Sequence, residues 1–180
     1  MKINWLATLL FSCFALNAHA EGDPSIYEIV NTENERTFSD LIMLGYDIDD
    51  ADNDGNTALM IAASLGKVNF VHFLIDNGAD VNNKNYNGET AMHRAAQGGN
   101  NEIIDILFAA GADLNIPDFT GKTPLMQAVA AERRFAVERL VTLGAYLNWR
   151  DKNGDSALSL AERKKFKPIA DFLRSKDAQY

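Results

Sequence analysis

The sequence repeats itself every 33 residues, and this period constrains the fold more than any other feature. A Gly-x-Thr motif, with a conservative Gly-x-Ser copy at the end, recurs in phase and starts at Gly55, Gly88, Gly121 and Gly154. A Gly-Ala-x-x-Asn motif recurs with the same period and starts at Gly78, Gly111 and Gly144. A fixed period of this size indicates stacked supersecondary units rather than a single globular core. Such stacks present an extended surface that usually binds other macromolecules.

One unit, residues 85–117, shows how each repeat is built. Asn87-Gly88 is a turn signal, because glycine tolerates the positive φ that such a turn needs. Thr90 is placed as an N-cap for a short helix over 91–97, which Gly98-Gly99 ends. A second helix is predicted over 101–110, and its many apolar residues suit a helix packed between neighbouring units. Gly111 then supplies a left-handed C-cap.

Apolar residues keep the same phase in successive units. The first helices place one core position at Leu59, Met92, Leu125 and Leu158. The second helices place another at Leu74, Leu107, Leu140 and Leu173. Alanine pairs such as Ala62-Ala63 and Ala95-Ala96 permit close helix approach. These positions are what a one-dimensional stack needs to bury its faces.

The order of these motifs resembles the ankyrin repeat. The resemblance is carried by Gly121-Lys122-Thr123-Pro124-Leu125-Met126-Gln127-Ala128 and by Gly78-Ala79-Asp80-Val81-Asn82, and it extends over nearly the whole chain after residue 20. It implies an all-α repeat solenoid of helix-turn-helix units joined by β-hairpin loops. We expect about five units, two of them degenerate caps, over residues 21–51, 52–84, 85–117, 118–150 and 151–180.

Two positions depart from this pattern. Glu132 stands where Gly66 and Gly99 end their first helices, so the turn between the helices of that unit is expected to differ. Tyr146 replaces the aspartate of the Gly-Ala-Asp signal.

Residues 1–20 have the features of a secretory signal peptide. A short positive segment with Lys2 precedes an apolar run over 5–16, and Ala18-His19-Ala20 is a cleavage signal. Two other readings remain open: an uncleaved anchor, which the short apolar run disfavours, and lipoprotein processing at Cys13. Cleavage after Ala20 removes Cys13, the only cysteine, so thiol chemistry and disulfides are not expected in the mature protein.

The mature chain is acidic, with a formal charge of −9 once Lys2 is removed from the 17 basic and 25 acidic residues of the full sequence. This charge disfavours nucleic acid and anionic membrane as partners and favours a basic protein. The charge could also serve only solubility.

No constellation of residues indicates catalysis, a metal or a cofactor. His72 and His93 lack an evident nucleophile or acid partner, and the resemblance implies that His93 is a structural hydrogen-bonding group. The run from Asp50 to Gly55 resembles the start of a calcium loop, but Ile61 stands where a bidentate glutamate is required. We therefore expect a protein that is not an enzyme and holds neither metal nor cofactor.

The resemblance implies that a partner binds along the hairpin tips and the inner face of the first helices. Carried over to this sequence, the candidate contact residues are Asn53, Asn56, Lys84, Tyr86, Glu89, Arg94, Phe119, Lys122, Gln127, Arg150 and Lys152. Tyr86 and Phe119 are the most informative, because they occupy the same tip position in successive units and no hydrophobic period requires an aromatic residue there. Trp149 and Tyr146 could extend this aromatic patch. Alternatively, the two tip rings pack finger to finger and only rigidify the hairpins.

These observations predict an exported, periplasmic interaction protein, monomeric or in a heterodimer with its partner. Our hypothesis is that it binds and inhibits or regulates a periplasmic enzyme such as a cell-wall hydrolase. Two alternatives are a scaffold for an exported enzyme, for example one acting in oxidative stress, and a secreted effector that binds a host protein. The fold fixes a mode of binding but not the target.

Overall fold

The structure is a computed structural model that describes residues 26–43, 45 and 47–177. The predicted signal peptide lies outside these residues. The described chain forms ten helices: α1 (Ile26–Asn31), α2 (Glu35–Met43), α3 (Ala58–Leu65), α4 (Val68–Asp76), α5 (Ala91–Gly98), α6 (Asn101–Ala109), α7 (Pro124–Ala130), α8 (Arg134–Thr142), α9 (Ala157–Arg163) and α10 (Lys167–Arg174). None of the helices in this part of the chain is long and apolar enough to cross a membrane.

The helices form five antiparallel pairs, one pair in each predicted unit, and the pairs stack in two layers. The first helices contact one another in the order α1, α3, α5, α7 and α9. The second helices α4, α6, α8 and α10 form a parallel row behind them. This arrangement confirms the predicted all-α repeat solenoid.

The core of the solenoid lies between these layers, at the positions that the period predicts. The two leucine/methionine series of the sequence are at most 1% exposed. Ala62, Ala63, Ala95 and Ala96 are fully buried between neighbouring first helices, whose close approach leaves no room for larger side chains. At the amino-terminal end, Phe38 of α2 packs edge-on against Phe70 of α4, with ring centroids 5.6 Å apart.

The turns between the two helices of each unit share one backbone conformation. Residues at the same register position have positive φ in all five units: Glu33, Gly66, Gly99, Glu132 and Lys165. The N–H of Arg133 donates to the carbonyl of Ala128 at 2.9 Å, as the N–H of Asn100 does to Ala95 at 3.0 Å. The expectation that Glu132 would change this turn is therefore wrong, because the glutamate adopts the left-handed conformation (φ 59°) itself.

The loops between units form tight fingers rather than extended strands. Each finger is closed by a backbone hydrogen bond across its base, for example from the N–H of Asn85 to the carbonyl of Glu89 at 2.9 Å. In the described residues, strand-like pairing consists of an isolated antiparallel bridge between Ala51 and Thr57. The hairpin loops expected from the sequence are thus present as hydrogen-bonded turns.

The Gly-Ala-Asp-x-Asn motif links one unit to the next. The side-chain oxygen of Asn82 accepts the N–H of Asp113 at 2.9 Å, and that of Asn115 accepts the N–H of Tyr146 at 2.8 Å. Because this link uses the backbone N–H of residue 146, a tyrosine is tolerated there in place of aspartate.

Candidate functional site

The fingertips form a regular row along one edge of the solenoid. The tip position is occupied in successive units by Asn53, Tyr86, Phe119 and Lys152, which are all exposed. Backbone hydrogen bonds join neighbouring fingers: the N–H of Tyr86 donates to Asp54 at 3.2 Å, that of Phe119 to Asn87 at 2.8 Å, and that of Lys152 to Thr120 at 3.0 Å. The row, which we call the finger edge, is therefore held in register by the backbone.

Each tip ring lies against a glycine of the preceding finger. A Cβ added to Gly55 would lie 2.7 Å from Cδ1 of Tyr86, and one added to Gly88 would lie 2.7 Å from Cδ1 of Phe119. The glycines thus make room for the rings, which remain 71% exposed at Tyr86 and 60% exposed at Phe119. One side of each ring thus contacts the preceding finger, as in the alternative interpretation, and the remaining surface of the ring is exposed.

The candidate residues on the inner face belong to a polar network that joins three units. Nη2 of Arg94 lies 3.0 Å from Oε2 of Glu89 and donates to Oδ1 of Asn56 at 3.1 Å. The Asn85 side chain donates to the same two acceptor residues, at 2.9 Å to Asn56 and 3.2 Å to Glu89. Gln127 joins the network by donating to Glu89 at 3.5 Å and extends it by donating to Asp118 at 3.1 Å.

This network corrects part of the site predicted from the sequence. Glu89, expected at an exposed tip, is 9% exposed and its carboxylate is held by Arg94 and Asn85. Asn56, Arg94 and Gln127 are partly buried, so only part of each side chain is accessible at the inner face. Their position indicates that they hold the fingers against the first helices.

The amino-terminal end of this inner face is a shallow acidic groove. It is lined by Asp52, Asp54, Asn56, Met60, Ile61, Ser64, Leu65 and Arg94. Partial burial raises the pKa of the Asp52 carboxyl, but hydrogen bonds from the side chain and backbone of Asn56, from the backbone of Asp54 and the Arg94 charge outweigh it, so that the pKa is lowered overall. Asp52 is therefore a stable anion at the wall of the groove.

His93 has the structural position that the resemblance implied. It is 1% exposed, and its Nδ1 accepts the N–H of Thr90 at 3.1 Å while its Nε2 lies 3.1 Å from the carbonyl oxygen of Lys122. Burial lowers the pKa of His93 and outweighs the opposite effects of the Lys122 carbonyl, Asp118 and Glu89. A neutral His93 thereby ties the N-cap of α5 to the next finger.

The remaining candidates lie around the fingers. Lys84 is exposed, and Lys122 is partly buried. Arg150 is exposed and donates to the carbonyl of Gly154 in its own finger at 2.8 Å. Trp149, expected to extend the aromatic patch, is partly buried and donates to the carbonyl of Gly121 at 2.8 Å, so its indole N–H is used to join two fingers. Tyr146 is 60% exposed.

The acidic run from Asp50 to Gly55 is used by the fold itself. Oδ1 of Asp52 accepts the N–H groups of Asp54 and Asn56 at 2.9 and 2.8 Å. In the described residues, no group of three or more histidine, cysteine or carboxylate side chains is arranged to hold a metal ion.

Charge is strongly segregated along the stack, a feature that the charge of the whole chain conceals. Residues 26–118 carry 16 acidic and four basic side chains, whereas residues 119–177 carry seven acidic and 12 basic ones. At the finger edge, the first finger has Asp52 and Asp54 and no basic residue, whereas the last has Arg150 and Lys152 besides Asp151 and Asp155. A count by repeat would have revealed this segregation from the sequence.

Sequence reasoning also missed an exposed aromatic residue on another surface. Phe135 begins the first turn of α8 and is 70% exposed, at the register position where other units have Asn69 and Glu102. A comparison of polar positions across the units, rather than apolar ones alone, would have identified it.

The comparison with known protein families gives a match that agrees with this geometry. Residues 26–118 match the family described as ankyrin repeats (3 copies). A comparison with curated proteins gives no match.

Proposed function

The chain belongs to the ankyrin-repeat family, whose repeats are protein–protein interaction modules, and we propose that this one binds a protein partner through its finger edge. The observation that carries the proposal is the pair of tip rings, Tyr86 and Phe119. Both are largely exposed although their backbones are fixed, so little conformational entropy is lost when a partner covers them. Exposed aromatic residues on a rigid support are typical interface anchors.

The charge of the finger edge supports a basic partner surface opposite its amino-terminal half. Asp54 lies beside Tyr86, because its carbonyl accepts the Tyr86 N–H, and Asp52 lines the groove behind it. An arginine or lysine of a partner can place its aliphatic stem on an aromatic ring and its charged group near these carboxylates. Complementary charge of this kind raises the association rate and selects against acidic competitors.

We place this activity in the periplasm, on the strength of the signal peptide predicted for residues 1–20. An acidic repeat protein there would meet enzymes that work on the cell wall, and covering the cleft of a basic hydrolase would inhibit or regulate it. The protein acts in this proposal by binding alone, without catalysis of its own.

The first experiment is a pull-down from an envelope extract. The tagged wild-type protein and the Tyr86→Ala/Phe119→Ala variant are compared by mass spectrometry. We expect a partner that the wild type retains and the double variant loses, because both anchors have been removed. Phe108→Ala is the matched control, since Phe108 is an exposed aromatic residue (42%) on the second-helix layer.

The folded state of each variant is checked by its thermal melting curve. A partner held equally by wild type and double variant would refute the finger edge as the contact surface. If a partner is found, its activity with and without the protein separates the functions: a decrease supports inhibition, and an increase would favour the scaffold alternative. Failure to bind any envelope protein would refute the periplasmic proposal and direct the search to a host protein.

A further inference from the structure

A second surface lies at the turns between the helices of the last two units, on a different edge from the fingers. Its residues, which we call the turn ridge, are Glu132, Arg133, Arg134, Phe135, Lys164, Lys165 and Lys167, so that one acidic side chain stands among five basic ones. The two turns occupy the same register position in stacked units, because Glu132 and Lys165 are 33 residues apart and both have positive φ. The first of these turns also contacts the preceding unit, where Arg133 Nε donates to the Gln97 carbonyl at 3.0 Å.

Phe135 is the apolar element of this ridge. It is 70% exposed, while Ala136 and Val137, which follow it on α8, are fully buried and supply the packing of the helix. The register position of Phe135 in the last unit is occupied by Pro168, which is also exposed. Packing of the helices therefore does not require a large apolar side chain at this position.

The three lysines of the ridge are exposed, whereas several nearby arginines are paired with carboxylates. Arg134 pairs with Glu138 at 2.7 Å, Arg163 pairs with Asp155, and Arg174 pairs with Glu162 and Asp171. In the described part of the chain, Lys164, Lys165 and Lys167 form no ion pair with a carboxylate within 4 Å, and Lys164 lies 5.8 Å from the ring centre of Phe166. Lys165 and Lys167 also line an open depression between α9 and α10, together with Ala161, Ala170 and the paired Glu162 and Arg174.

The residue types favour an anionic lipid bilayer over an acidic protein. Lysine is depleted in protein–protein interfaces, where arginine with its planar fork is preferred, but a flexible point charge suits a diffuse layer of lipid headgroups. A cluster of basic residues beside an exposed phenylalanine is the composition of a surface that lies at a membrane interface.

The segregation of charge orients the molecule on such a surface. The acidic residues are concentrated in residues 26–118, so a bilayer with negative charge repels that end and attracts the carboxy-terminal one. Docking by the turn ridge would leave the acidic half of the finger edge available to a protein partner.

From these observations we propose that the turn ridge docks the protein peripherally on an anionic lipid bilayer, with Phe135 entering the headgroup region and Lys164, Lys165 and Lys167 contacting the lipid phosphates. This surface is independent of the finger edge and of the partner proposed for it.

Flotation with lipid vesicles tests the proposal. The purified protein is mixed with vesicles of phosphatidylcholine alone or of equal parts phosphatidylcholine and phosphatidylglycerol. We expect flotation with the anionic vesicles and a loss of it at high salt. Lys164→Glu/Lys165→Glu should reduce the bound fraction by about ten-fold or more. Phe135→Ser should reduce it several-fold without changing the net charge.

Lys84→Glu/Lys152→Glu is the matched control, because it changes the net charge by the same amount at exposed positions of the fingers. It should bind at least several-fold better than the ridge variant. All variants share one amino terminus, so binding through residues 1–20 would affect them equally.

Three results would overturn the proposal. The first is equal flotation with neutral and anionic vesicles, and the second is an equal loss in the control and ridge variants. The third is binding of poly-glutamate without binding of anionic vesicles, which would assign the ridge to an acidic protein instead.

Discussion

His93 shows how a single buried residue connects two repeats. It accepts the N–H of Thr90 and reaches the carbonyl of Lys122, so both ends of the imidazole are used inside the protein. We expect His93→Leu to lower the free energy of unfolding by about 2–4 kcal/mol, because one buried and one partly buried backbone group lose their partner. Urea unfolding at neutral pH measures this loss, and a variant as stable as the wild type would refute the role.

The lowered pKa of His93 also predicts a pH dependence. The unfolded chain takes up a proton as the pH falls below about 6.5, while the folded chain does so only at its lower pKa. Stability should therefore decrease as the pH falls from the unfolded-state pKa to the folded-state pKa of His93. At still lower pH, His93 causes no further change in stability. Asp52 acts in a lower range: its lowered pKa contributes stability that is lost as the pH falls from the ordinary aspartate pKa of 3.8 through the lower folded-state pKa. The first decrease should be absent in His93→Leu.

Glu132 is a second test at the residue scale. Its φ of 59° costs about 1–2 kcal/mol in a residue with a Cβ, and glycine removes that cost at some expense in unfolded-state entropy. We expect Glu132→Gly to raise the free energy of unfolding by about 1 kcal/mol. Glu132→Ala is the control and should give no such gain, because it keeps the Cβ. Equal stabilities of the two variants would contradict the backbone explanation.

At this scale the sequence predicted the residues that act locally and missed those that act across units. Thr90 as N-cap and His93 as a structural residue follow from a short motif. The contact of Arg94 with Asn56 could not be predicted, because these residues belong to neighbouring units and meet only when the two units stack at a particular distance. The same holds for Trp149, whose target carbonyl belongs to the preceding finger.

The element on which the proposed function depends is the finger, and its stiffness comes from close contact at glycine. An alanine at Gly88 would place its Cβ 2.8 Å from the backbone nitrogen of Phe119, in addition to the contact with the ring. We expect Gly88→Ala to destabilise the protein by more than the roughly 1–2 kcal/mol that positive φ alone costs. It should also weaken partner binding by moving Phe119.

Gly111→Ala provides the matched control for this element. Gly111 has a φ of 91°, and a Cβ built there meets nothing within 4 Å. Its substitution should cost only the free energy of placing a residue with a Cβ at positive φ, as measured by urea unfolding under the same conditions. If Gly88→Ala and Gly111→Ala are equally destabilising, then close packing of the fingers does not contribute to stability.

The period predicted the helices well, because the apolar positions recur in phase and Thr or Ser caps the start of the first helices. It predicted the turns between helices less well: Glu132 and Lys165 have no glycine signal, yet packing of the flanking helices imposes the left-handed conformation on them. At these two positions, helix packing in the stack outweighs the backbone conformational preference of the residue.

At the scale of the whole molecule, stability should be highest in the middle of the stack. The helices α5 and α7 contact first helices on both sides, whereas α1 and α9 each have one such neighbour. In a one-dimensional stack the end units open first. Hydrogen exchange read by mass spectrometry should show the slowest exchange in α5 and α7 and the fastest in α1 and α2, and uniform protection would contradict this account.

The distribution of charge is also a property of the whole molecule. The net charge of the whole chain predicted an acidic protein, but the stack has an acidic amino-terminal end and a basic carboxy-terminal end. The net charge therefore describes neither end. The two ends are matched to different partners in our proposals, a basic protein and an anionic bilayer.

The most direct test of the central claim is site-specific photo-crosslinking from the finger edge. A photoreactive phenylalanine analogue at position 119 lies in the proposed interface, and the same analogue at position 108 lies on the second-helix layer. In cells that make the protein at its normal level, we predict a crosslinked protein partner from position 119 and none from position 108. A partner crosslinked from position 108 but not from position 119 would contradict the assignment of the finger edge as the binding surface.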